Sequence, residues 1–304
     1  MSIRRANFHD VVEHCDRLAR QGQRLRPDQQ PIVAFDADGT LWGPDVAELL
    51  WQRLIDQGAL DRRAEAPLAR ALRQLGAEPA REPHADFTQL MELYRGGRCP
   101  EETLVRVMLQ GLVGLREEDL YAHSVEAIAS SDELTRMREG EPRLMIDRIR
   151  CLGFRAIVVS GSPRWAVEVA VRPIGIEPGD IIAGQVAVVH GVLTDGIIEP
   201  LPYGRGKIQA ILRRYGTVPR VCLGNSLGDL AMFRATSDLR ILVNPTDDLI
   251  LACEEIPGAT WSMRMPGAAL AAPAGKRAAA RAASSHGGPA HLTGKPPRRP
   301  TARS

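Results

Sequence analysis

The chain has 304 residues, 44% of them apolar, with 39 Lys and Arg against 37 Asp and Glu, so it can bury at least one large core and lacks the composition of a disordered protein. No stretch approaches the roughly 18 to 20 uninterrupted apolar residues of a bilayer span, and residues 1–26 are charged throughout with no apolar signal region, which points away from membrane insertion and secretion. Five scattered cysteines, Cys15, Cys99, Cys151, Cys222 and Cys253, include no CxxC spacing, so reduced cytoplasmic thiols are expected and neither a disulfide framework nor a structural zinc site.

From the N-terminus, apolar residues at helical spacing over 8–25 predict a helix that Pro27 and Pro31 stop. Ile32-Val33-Ala34-Phe35 is then a short buried strand, ending where charge and glycine enter at Asp36-Ala37-Asp38-Gly39-Thr40-Leu41-Trp42. Residues 45–140 carry only amphipathic helical patterns, at 46–55, 66–75, 87–94, 101–112 and 117–128, punctuated by Gly, Pro and Asp. This block is far longer than an ordinary connection after a strand and predicts a helical subdomain inserted into the core. Two more apolar runs, 155–160 and 220–223, each break into a small-residue loop, Gly161-Ser162-Pro163 and Gly224-Asn225-Ser226, and 240–243 looks like a fourth strand. Residues 181–198 read as a small β-hairpin turning at His190-Gly191.

Continuous apolar strands separated by helical patterns predict an α/β fold, a doubly wound parallel sheet covered on both faces. The expected boundaries are a lead-in over 1–30, a core made of 31–44 and 141–263, and the helical insert over 45–140. Residues 264–304 hold eight basic residues and no acid, leaving 31 basic and 37 acidic groups, a net of −6, in the body. With almost nothing there to pack a core, a disordered basic tail is expected. Such an arm suits nucleic acid or anionic lipid, but a plain solvated extension is the simpler expectation.

Ligands of doubly wound sheets bind beyond the carboxyl ends of the strands, and four polar clusters stand there. Asp36 and Asp38, two apart past the first strand, leave an extended segment on the same side, so one can attack while the other shuttles a proton. Gly39 and Thr40 give the chain room to turn and to present N–H groups to an anion. Ser160-Gly161-Ser162 offers a hydroxyl and amides to a phosphoryl oxygen. Lys207 is the sole lysine of the body, in a chain with three lysines and 36 arginines; a compact ammonium fits close to both a carboxylate and a phosphoryl oxygen, where a guanidinium fork is too broad. Asn225 and Asp229, four apart at a strand end, can hold a hard divalent cation through oxygen, and magnesium suits such a site. Each feature alone has a plain structural reading, as turn, loop hydroxyl or helix cap. Their occurrence together at strand ends is what points to chemistry.

Together FDADGTLW, VVSGSP, GRGK and CLGNSLGD, spread over residues 31–248, resemble the haloacid dehalogenase superfamily, in its helical-cap, phosphoserine phosphatase-like branch. The resemblance implies a phosphomonoesterase of small phosphorylated metabolites. It implies that Asp36 is the nucleophile and forms an aspartyl-phosphate, that Asp38 is general acid and then base, and that Ser160 and Lys207 hold the phosphoryl group. It also implies Mg²⁺ bound by Asp36, the Asp38 backbone carbonyl and Asp229. The dehalogenases lack an acid at the place of Asp38, so ester hydrolysis is favoured over their chemistry. Asn225 stands where many relatives have Asp, which lowers the negative charge of the metal site by one.

The expected ligand is a small phosphate ester whose leaving group meets the inserted helices. Asp45 and Glu48 are candidates to meet a substrate ammonium, or are helix N-terminal acids complementing the dipole. Trp42 can pack over a cation, as the resemblance of DGTLW to phosphocholine phosphatases suggests, or pack as a hinge. The alternatives to a phosphoserine-like substrate are a phosphocholine or phosphoethanolamine ester, or a catalytically weakened binding protein of the same fold.

Overall fold

A computed structural model describes residues 3–21, 30–136 and 140–264. The expected end of the first helix at residue 25 and the basic arm beyond Arg264 lie outside these. The first described elements are a two-residue strand, β1 (Arg4–Arg5), and α1 (Phe8–Gln21). Strand β2 (Ile32–Phe35) is buried along its whole length, and its side chains alternate. Val33 and Phe35 enter one apolar cluster with α1 and the inserted helices, while Ile32 and Ala34 enter a second cluster on the opposite face of the sheet. Burial on both faces is the physical reason the strand sequence is a continuous apolar run.

Between β2 and β3 (Arg155–Pro163) the described chain is helical: α2 (Val46–Asp56), α3 (Glu65–Gln74), α4 (Pro83–Arg95), α5 (Glu101–Gln110), α6 (Glu117–Ala129), α7 (Asp132–Arg136) and α8 (Glu141–Cys151). Asp45 starts α2 by accepting the N–H groups of Ala47 and Glu48 at 2.9 and 3.1 Å, the N-cap geometry its residue type favours. After β3 come α9 (Arg164–Val171), β4 (Ile181–Gly184) and the antiparallel pair β5 (Val186–Val189) and β6 (Val192–Ile197). The expected hairpin over 181–198 is therefore only half right. Ile181–Gly184 leaves it and pairs parallel with β3, because Gly184 and Gln185 break the apolar run and let its first half join the main sheet.

The chain then forms α10 (Arg205–Tyr215), β7 (Val221–Gly224), α11 (Leu230–Ala235), β8 (Leu239–Val243), α12 (Asp247–Glu254) and β9 (Ala259–Met263). Seven strands lie in the order β1-β9-β8-β7-β2-β3-β4, every neighbouring pair parallel. From β2 the chain moves to β3 and β4 on one side and returns to β7 on the other. The order reverses between β2 and β7, where such sheets open a crevice at their carboxyl ends. The small hairpin is tied to the inserted helices: Leu193 donates its N–H to Leu115 and accepts that of Gly114, both at 2.9 Å. Among the described residues no helix is long and apolar enough to cross a membrane.

Candidate active site

Asp36 follows β2 directly, and its N–H continues the sheet ladder to the Leu223 carbonyl of β7 at 2.9 Å. Its carboxylate is held on both oxygens. Oδ1 accepts from the Lys207 ammonium at 2.5 Å, and Oδ2 accepts from the Thr40 hydroxyl at 2.9 Å. Lys207 lies in the first turn of α10 and donates also to Asp229 Oδ1 at 2.6 Å. Gly206 permits that turn, since a Cβ there would lie 1.7 Å from the Leu201 carbonyl oxygen. Asp229 is aimed by its own loop, its Oδ2 accepting the N–H groups of Asn225 and Ser226 at 2.9 and 3.1 Å.

One ammonium thus sits between two buried carboxylates. Burial and the neighbouring Asp229 push the Asp36 carboxyl up to about 7, against the pull of Lys207. Burial disfavours the charge on Lys207, but Asp229 and Asp36 outweigh it and raise the ammonium above its usual range. A single positive charge does not balance this pair.

Asp38 has a separate set of partners. Its Oδ1 accepts from the Trp42 indole N–H at 2.8 Å and the Val46 N–H at 3.0 Å. Its Oδ2 accepts from the Ser162 hydroxyl at 2.7 Å and the Ser160 hydroxyl at 3.4 Å. Burial, and then Asp45, push this carboxyl up to about 6, against the hydrogen bonds from Ser162, Val46 and Trp42. Ser160 and Ser162 reach the same oxygen because the register between β3 and β4 shifts between Ser160 and Pro163, as a bulge does when it re-aims side chains.

The structure brings Asp36, Asp38, Thr40, Ser160, Lys207 and Asp229 together. Asn225 joins them: its amide packs on Gly39, where a Cβ would lie 1.9 Å from Nδ2 and where φ is +75°. Gly161 faces α5, with the place of a Cβ 3.2 Å from Val105.

Several expectations need correction. Thr40, expected to bind phosphate, has its hydroxyl on Asp36. The N–H groups of Gly39 and Thr40, expected to face an anion, donate to the carbonyls of Trp42 and Ala37 at 2.6 and 3.1 Å, because the loop closes into a tight turn on itself. Trp42 is 2% exposed, so it cannot cover a substrate cation; its buried N–H takes the Asp38 carboxylate instead. Glu48 faces Arg95 at 3.8 Å, while Asp45, though it caps α2, stays exposed. The contacts of Ser162 and Trp42 with Asp38 had one faint signal in the sequence, the alternation that puts Ser160 and Ser162 two apart.

A parallel sheet whose order reverses beside β2, with two differently held aspartates, a buried lysine and a third aspartate at its carboxyl edge, is a doubly wound α/β fold with its polar cluster at the switch point. The chain belongs to the haloacid dehalogenase-like hydrolases, whose family model matches residues 33–234. Among solved structures, that of a protein with unknown function from Bordetella pertussis Tohama I is similar at 16% identity with a TM-score of 0.57, over 76% of this chain and 98% of that one. A conserved functionally unknown protein from Anaerococcus prevotii DSM 20548 is similar at 14% identity with a TM-score of 0.57, over 83% of this chain and 90% of that one. A substrate-bound phosphoserine phosphatase complex is similar at 18% identity with a TM-score of 0.47, over 77% and 92%. At these identities the likeness is one of fold. No curated protein matches the sequence.

Proposed function

We propose that this protein hydrolyses phosphate monoesters of small metabolites in two displacements, the first onto Asp36 and the second onto water. The observation that carries this reading is the division of labour between the two acids. Asp36 is fixed by Lys207 and Thr40, as a nucleophile must be, and Asp38 is fixed independently beside it among hydroxyl and N–H donors.

In the first step an oxygen of Asp36 forms a bond to phosphorus, the ester P–O bond breaks, and Asp38 gives its proton to the departing oxygen. In the second, Asp38 takes a proton from water as that water attacks phosphorus, the bond to Asp36 breaks, and inorganic phosphate leaves. A carboxylate approaching a phosphate dianion meets like charge, and Lys207 opposes it, with Ser160 and Gly161 holding phosphoryl oxygens.

The residues present fit Mg²⁺. Asp36 Oδ1 and Asp229 Oδ1 lie 2.5 and 2.6 Å from the same Lys207 ammonium, so two buried carboxylates share one fixed positive charge, and a second cation beside them would offset the remaining negative charge. The donors are hard oxygens, which magnesium prefers. Among the described residues no group of three His, Cys, Asp or Glu forms a metal site, so Asp36, Asp229, the Asp38 carbonyl and Asn225 would share the ion with water. When bound it supplies positive charge against the phosphoryl oxygens.

Residues 45–140 act in this reading as a cap over the site. Val105 of α5 meets the Ser160 loop, and Glu133 accepts the Gly43 N–H just past the Asp36 loop at 2.7 Å. Exposed Asp45, close enough to Asp38 to raise its carboxyl, favours a leaving group bearing an amine, phosphoserine-like or an amino-alcohol. The burial of Trp42 takes away the aromatic that would have favoured a phosphocholine ester.

The test is phosphate release from p-nitrophenyl phosphate and O-phosphoserine, with Mg²⁺ and with chelator. Magnesium-dependent release by the wild type, lost in Asp36→Asn, is expected. Release unaffected by Asp36→Asn would refute the reading, and inactivity of the wild type on a broad panel of esters would leave a binding protein of the same fold.

A further inference from the structure

We propose that Trp42 and Ser162 are positioning residues that clamp the Asp38 carboxyl from its two ends and present Oδ2 alone to the leaving group; this rests on the phosphatase reading above. The geometry is unequal at the two oxygens. Oδ1 faces two N–H groups, the Trp42 indole at 2.8 Å and the Val46 amide at 3.0 Å. An N–H group donates and cannot accept, so a proton on Oδ1 would displace one of them. Oδ2 faces only hydroxyls, Ser162 at 2.7 Å and Ser160 at 3.4 Å. A hydroxyl can rotate from donor to acceptor, so Oδ2 can carry a proton or lack one with its neighbours satisfied in both states. It is also the oxygen on the side of Ser160, where the phosphoryl group would lie.

Trp42 is more than filler in this arrangement. Two other buried indoles donate to acceptors far away in sequence, Trp51 to the Met108 carbonyl and Trp165 to a Glu117 carboxylate oxygen, each at 3.1 Å. Trp42 reaches back four residues to an acid of its own loop. The loop is folded for this contact: the Trp42 carbonyl accepts the Gly39 N–H at 2.6 Å, and Asp38 and Trp42 form an isolated bridge. Ser162 is set by the register shift at the end of β3. The clamp therefore joins the first loop to the third strand across Asp38.

In the chemical step the proton on Oδ2 passes to the ester oxygen as its bond to phosphorus breaks and the bond from Asp36 forms. A misaimed Asp38 harms this transfer most where the leaving oxygen is basic, because a good leaving group departs without a proton. The experiment is kcat/KM for p-nitrophenyl phosphate and phenyl phosphate, whose phenolate has a pKa of about 10, in wild type, Trp42→Phe and Ser162→Ala. Both substitutions should lower kcat/KM on phenyl phosphate at least about tenfold more than on p-nitrophenyl phosphate, a fraction of the roughly 10² to 10⁴ that a general acid contributes. Loss of packing alone would lower both esters alike. Equal losses, or none, in an active enzyme overturn the clamp and leave the phosphatase reading standing. A wild type inactive on both esters overturns the reading and the clamp together. Should Trp42→Phe fail to fold, Ser162→Ala, which removes one hydroxyl, decides by the same ratio.

Discussion

Lys207 is 3% exposed and touches two carboxylates, so removing it leaves two buried acids without their cation. Lys207→Met should abolish turnover and destabilise the fold by about 3–5 kcal/mol, the usual loss when one partner of a buried ion pair is deleted. The sign of its pH dependence follows from Asp36, whose carboxyl already stands at about 7 with the ammonium present and rises further without it. A group with a higher pKa folded than unfolded binds its proton more tightly in the folded state. The penalty should therefore be full above the folded pKa of Asp36 and shrink as acid protonates that carboxyl. Urea unfolding of the variant and wild type at about pH 8 and about pH 5 measures this, and a difference that grows toward acid would contradict the pairing. The pairing has a visible trace in the sequence, since a body rich in arginine keeps one lysine, set after the second of the three core strands that carry the site. The partners of Asp38 have almost none. Which donors reach a carboxylate depends on how the loop from Asp36 to Trp42 turns back on itself, and periodicity does not encode that.

Gly184 shows how a neighbouring element holds the site in place. A Cβ there would lie 2.3 Å from the Gly161 carbonyl oxygen and 2.9 Å from Leu109, so β4 can approach the Ser160 loop only as glycine. Gly184→Ala should push that loop outward, lower kcat/KM by at least about tenfold through the hydrogen bonds to Asp38, and cost about 1–3 kcal/mol of stability by overpacking. Steady-state kinetics and thermal melting check both. At this scale the central strands and the inserted helices were legible: the runs at 32–35, 155–160, 220–223 and 240–243 all fall within or upon strands, and the helical patterns lie on α2 to α6. The periphery was not. β1 is two exposed arginines that pair through their backbone with β9, and β9 itself begins exposed and alternates weakly. The run 181–189 is apolar almost throughout, and only the position of Gly184-Gln185 separates a sheet strand from a hairpin strand.

For the whole molecule, the reversal of strand order between β7 and β2 is what gathers residues as distant as Asp36 and Lys207, 171 positions apart, around one point. The match to the haloacid dehalogenase-like hydrolases over residues 33–234 spans all four loops. In the proposed reaction Asp36 carries the phosphoryl group between the two displacements. Quenching the enzyme in acid during turnover of p-nitrophenyl phosphate with Mg²⁺, and mapping the phosphorylated peptide by mass spectrometry, shows where that group resides. One phosphoryl group on the peptide containing Asp36, and none on the same peptide of Asp36→Asn, is the expected result; phosphoryl on another residue, or turnover that persists in Asp36→Asn, would contradict it.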